Sequence, residues 1–213
     1  MQAAIIVVSI VAIVCCAANW WSRWRDDARV ELISKPAATI AIGALAVLVA
    51  DNVPTGALVA AVVGFACCLA GDVALLPTVD KFVVGLGSFL VGHIAFVVMF
   101  VLLGLDTWWL GVVALVGVSA VAVFVGRPIV AGARASDPAL VVPVQAYLAI
   151  ISSMAVVGWA TGRPAAIIGS ALFVASDSML GWRQFIGSNR RWMPVAVMFT
   201  YHAALAGLAL TLA

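Results

Sequence analysis

Charge is what this chain lacks. Lys, Arg, Asp and Glu together make up 9% of its 213 residues, against roughly 25% in a soluble globular domain. So few charges cannot cover a water-facing surface, and 66% of the residues are hydrophobic. The net charge of +2 carries no signal for nucleic acid, and no nucleic-acid partner is expected. The apolar runs are long and do not alternate, which excludes a β-barrel and points to membrane-spanning helices. No basic stretch precedes the first apolar run, MQAAIIVV, so a retained first span is expected rather than a cleaved signal peptide. There is no HExxH and no close histidine pair, so no metal site is expected. The four cysteines form two adjacent pairs, Cys15-Cys16 and Cys67-Cys68. Neighbours on a helix point about 100° apart, a poor arrangement for a disulfide or a shared metal, and they read as small packing residues.

What is present is a series of apolar runs near the length of about 20 residues that a span requires. Eight fit: 3–20, 36–50, 56–76, 82–104, 107–125, 139–158, 164–182 and 193–212. The fold class expected is all-α, a polytopic bundle of eight transmembrane helices, with residues 1–213 as one integral membrane domain in the cell membrane. After spans 1, 3, 5 and 7 come Arg23, Arg25, Arg29, Lys35, Lys81, Arg127, Arg134, Arg183, Arg190 and Arg191. Opposite them stands only Arg163. By the positive-inside rule the basic side faces the cytoplasm and both termini face outward.

Two carboxyls interrupt the apolar pattern. Asp72 lies in CCLAGDVALL and Asp177 in FVASDSML. GFACCLAGDVALL (64–76) aligns without gaps on GSALFVASDSMLG (169–181), matching Gly64 to Gly169 and Asp72 to Asp177. This is compatible with a parallel four-plus-four internal repeat, although part of the match reflects Ala and Gly content. An aspartate in hydrocarbon costs roughly 2.5–3.5 kcal/mol on insertion scales, so it faces a partner or a wet cavity. Both are expected four or five residues from the cytoplasmic ends of their helices, among small residues that allow close approach. An interhelical hydrogen bond is the structural alternative. A pair at one depth favours a site, one carboxyl protonated as acid and the other ionised as base.

Phe82, Gly85, Phe89 and His93 form one stripe on the fourth span, and the short connection PTVDK places it beside the third, so His93 is expected near Asp72. Lys35-Pro36 is expected to open the second span, with Lys35 either an interfacial lysine or a phosphate contact. Tyr147, Tyr201 and His202 sit deep in apolar runs, and Asn189-Arg190-Arg191 precedes the last span. AGD (70–72) and PAL (138–140) echo intramembrane aspartyl proteases, but PAL precedes the second aspartate, the wrong order.

Taken together, Lys35-Pro36, Gly71-Asp72 with the following LLP, the stripe ending at His93, the Gly169–Asp177 segment, Asn189-Arg190 and Tyr201 resemble, in order, the YhhN-like family of multipass membrane proteins, which includes the lysoplasmalogenases. The resemblance implies hydrolysis of the vinyl-ether bond of a lysoplasmalogen, a lysophospholipid drawn from the membrane, to a fatty aldehyde and a glycerophospho-alcohol such as glycerophosphoethanolamine or glycerophosphocholine. Asp72, Asp177 and His93 would be catalytic. Lys35, Arg183, Arg190, Asn189, Tyr147 and Tyr201 would contact substrate. No cofactor is implied. The alternative is a proton-coupled transporter using the same aspartate pair.

Overall fold

In hydrocarbon every backbone N–H and C=O must be paired within its own segment, and a helix does this residue by residue. The computed structural model describes residues 1–188 and 190–213. Its elements are α1 (Gln2–Arg25), α2 (Ala28–Val49), α3 (Thr55–Ala74), α4 (Phe82–Leu103), α5 (Trp108–Val121), a π-helical turn (Ala122–Gly126), α6 (Arg127–Ser136), α7 (Val141–Ala160), α8 (Pro164–Phe185) and α9 (Met193–Leu210). α5, the π turn and α6 run on as one stretch, Trp108–Ser136, so the described residues contain eight helices long and apolar enough to cross a membrane. The protein is an all-α integral membrane bundle.

Helix ends depart from the apolar runs where charge is involved. The second helix begins at Ala28, eight residues before Pro36, because Asp27 caps it by accepting from the Arg29 and Val30 amides at 3.0 and 3.2 Å. Lys35 and Pro36 therefore lie inside α2, where Pro36 has no N–H to offer the Leu32 carbonyl. Charged Glu31 and Lys35 hid this first part of the helix from an apolar count. Likewise Arg127 and Arg134, expected in a loop, lie on α6.

Three hairpins, α1–α2, α3–α4 and α8–α9, carry the most extensive helix contacts, with α2 also against α3 and α9 and α4 against α7. Glycines set the approach. A Cβ on Gly71 would stand 2.6 Å from the Phe89 ring, and one on Gly207 would stand 2.7 Å from the Gly169 Cα. The interior is filled by Phe96, Met99, Phe100, Met154, Phe173 and Leu205. Large apolar side chains such as Ile13, Val116 and Phe124 point outward, as lipid requires. The helix contacts place α1 against α2 and α9 and α5 against α7, while α2, α3, α4, α7, α8 and α9 supply the side chains of the polar interior.

Candidate functional site

Asp72 sits near the end of α3 and is 1% exposed. Its Oδ2 accepts from the Thr39 hydroxyl at 2.5 Å and from the Tyr201 hydroxyl at 2.8 Å. Its Oδ1 faces Lys35 Nζ at 3.6 Å and accepts no hydrogen bond among the described residues. Lys35 and Thr39 are one helical turn apart on α2, so a single face of that helix presents both to the carboxyl. One turn earlier on the same face, Glu31 pairs with Arg23 of α1 at 2.5 Å. A buried ion pair persists only where each charge is answered, and here the donors on α2 and α9 answer the carboxyl on α3.

Asp177 lies on α8, eight residues before that helix ends, against two for Asp72 on α3. The sequence had placed both four or five residues from their helix ends. Asp177 accepts a hydrogen bond from the Tyr147 hydroxyl of α7. His93 Nε2 of α4 faces Asp177 Oδ2 at 3.9 Å, beyond direct hydrogen bonding, and neither ring nitrogen has a partner among the described residues. The His93 ring is wholly buried, edge-on to Phe173 at 4.5 Å and to Tyr147 at 5.3 Å between centroids. His93 was expected beside Asp72 because α3 and α4 are neighbours. The rotation of α4 aims it at Asp177 instead.

Two cavities meet here. The more polar one, of about 190 Å³, is lined by Arg23, Glu31, Lys35, Arg183 and both aspartates beside apolar side chains such as Phe89 and Met198. A smaller apolar one, about 60 Å³, runs beside the π turn between Val125, Ile129, Val144 and Leu148. Leu75, Phe82, Phe89, Leu180 and Asp177 border both. Asp177 is thus the carboxyl at the junction, while Asp72 borders the polar cavity alone of the two.

Of the residues singled out from sequence, Asp72, Asp177, Lys35, Arg183 and Tyr201 line the polar cavity, and Tyr147 lines the apolar one. Arg190 does not join them. It is exposed and lies in a different cavity with Arg191. Asn189 lies outside the described residues. Sequence reasoning missed Thr39, Arg23 and Glu31, although the spacing 31, 35, 39 on α2 was a readable polar stripe. It also missed that Trp20 Nε1 donates to His202 Nδ1 at 3.1 Å, tying α1 to α9 behind the site.

Comparison with known proteins gives one family. The sequence profile of the YhhN family matches residues 30–212. No curated protein matches this chain, and no solved structure does.

Proposed function

The chain belongs to the YhhN family, and from that premise we propose that it is a membrane hydrolase of the lysoplasmalogenase type, cleaving the vinyl-ether bond of a lysoplasmalogen. The observation that carries this reading is the position of Asp177 where a polar cavity meets an apolar one. The first carbons of the substrate's alkenyl chain would lie in the apolar cavity, with the rest of the chain running out toward lipid, and its phosphate would lie among Lys35, Arg183 and Arg23 of the polar one.

The chemistry follows from the two environments. Asp177, on the chain side, acts as the acid and protonates the vinyl carbon remote from oxygen. The double bond's electrons form that C–H bond, leaving an oxocarbenium ion. Asp72 is surrounded by the Lys35 ammonium and the Thr39 and Tyr201 hydroxyls, all suited to a carboxylate. It stabilises the cation and takes a proton from the water that attacks it. The resulting hemiacetal collapses. Its hydroxyl proton returns to Asp177, the proton on Asp72 goes to the departing oxygen, and aldehyde and alcohol separate with both carboxyls reset. Tyr147 orients Asp177 by donating to it, and His93 stands 3.9 Å from the same oxygen.

Purified protein in detergent, given lysoplasmalogen, should release fatty aldehyde. Asp72→Asn and Asp177→Asn should each reduce the rate by about 10²–10⁴-fold, the range of a general acid or base. If the wild type releases no aldehyde while proteoliposomes move a solute down a proton gradient, the hydrolase reading is wrong and the transporter reading replaces it.

A further inference from the structure

Arg190 is the basic residue among the expected substrate contacts that the catalytic reading does not absorb. It lines a third cavity, about 420 Å³, between the end of α1 and the α8–α9 connection. Arg23, Arg25, Arg190 and Arg191 all contribute, against the single carboxylate of Asp26. Arg23 is paired with Glu31. Arg25, Arg190 and Arg191 have no ion pair among the described residues. Like charges gathered in one concavity repel, and an anion between them relieves that repulsion. Pro194, in the first turn of α9, also lines the cavity, so the positive end of that helix's dipole lies beside the arginines.

The level of the basin is marked by tryptophan. Trp24, in its wall, is 60% exposed, and Trp192 is 47% exposed with the Arg190 guanidinium 6.0 Å from its ring centroid. Exposed tryptophans at helix ends sit at the headgroup layer of a bilayer. A basic pocket at that level on the arginine-rich side matches a lipid phosphate.

We propose that this basin binds the phosphate of an anionic membrane lipid, at a site separate from the two aspartates. The occupant is a lipid rather than a soluble phosphate because the tryptophans hold the arginines among headgroups. Arg23 borders both this basin and the polar cavity, so the bound lipid stands at the entrance to the aspartates.

The test uses full-length protein in nanodiscs of phosphatidylcholine containing phosphatidylglycerol as the anionic probe, with retained lipid counted by native mass spectrometry. Wild type should retain phosphatidylglycerol preferentially. Arg190→Gln/Arg191→Gln should weaken retention on the order of 30-fold, since each arginine near an anionic surface contributes roughly a factor of five. Arg25→Gln, on the opposite wall, should weaken it by an independent route should the double variant fold poorly. Arg163→Gln, outside the cluster, should retain lipid as wild type does. Equal retention by the wild type and the cluster variants overturns the proposal. Displacement of phosphatidylglycerol by excess inorganic phosphate overturns the lipid as occupant.

Discussion

At the scale of single residues, the polar interior is held by pairs that cannot be broken from one side. Lys35 and Asp72 are both buried and face each other at 3.6 Å. Removing one partner of such a pair typically costs about 3–5 kcal/mol, because the other charge stays buried without an answer. Lys35→Met should therefore lower stability by about that amount, read from denaturant or thermal unfolding in detergent. Adding Asp72→Asn should recover most of the loss, and a Lys35→Met protein as stable as wild type would show that the ammonium does not answer this carboxyl. The two aspartates were legible in sequence because each breaks an apolar run where a charge is costly. Their partners were less so. Thr39 lies one turn beyond Lys35 and could have been found by that spacing. That His93 turns to Asp177 and Tyr201 to Asp72 depends on how α4 and α9 are rotated, which a run of near-uniform hydropathy does not record.

At the scale of elements, the fifth span is the one whose shape hydropathy did not disclose. Its π turn, Ala122–Gly126, supplies Ala122, Val125 and Gly126 to the apolar cavity, and such turns are frequent at functional sites. Val125→Phe should occupy much of the chamber while leaving both aspartates in place. Hydrolysis of a long-chain alkenyl substrate should fall at least tenfold relative to a short-chain one, measured as the ratio of kcat/KM values, since blocking a few methylenes is a discrimination of roughly this size. An unchanged ratio would remove the chain from this cavity. Helix packing makes a second claim at this scale. Gly207 and Gly169 touch at the α8–α9 crossing, where a Cβ on Gly207 would also lie 3.0 Å from the Ala165 carbonyl oxygen. Gly207→Val should force the pair apart and cost about 1–3 kcal/mol of overpacking, seen as a lower melting temperature in detergent. Lower yield alone would not count.

At the scale of the whole molecule, the asymmetry of charge gives the bundle a direction. Ten of the eleven basic residues fall on one side of the eight spans and Arg163 on the other. The distribution was readable from sequence because topology is set by loops and helix ends, where charge is cheap, rather than by packing. It predicts that Ala213→Cys, exposed at the end of the chain, reacts with a membrane-impermeant maleimide on intact cells, while Ser136→Cys, exposed at the end of α6, reacts only after permeabilisation. Both would be made in a background with the four native cysteines replaced, and the reverse pattern would invert the orientation. The meeting of two unlike chambers at Asp177 then has a consequence for turnover. If the chain is the hydrolase proposed, neither fragment would need to leave by the other's route: the aldehyde would slip sideways among the acyl chains while the glycerophospho-alcohol would wash out to the aqueous side. Reversal would require the two to find each other again across a phase boundary, so partition between oil and water would itself drive the reaction forward.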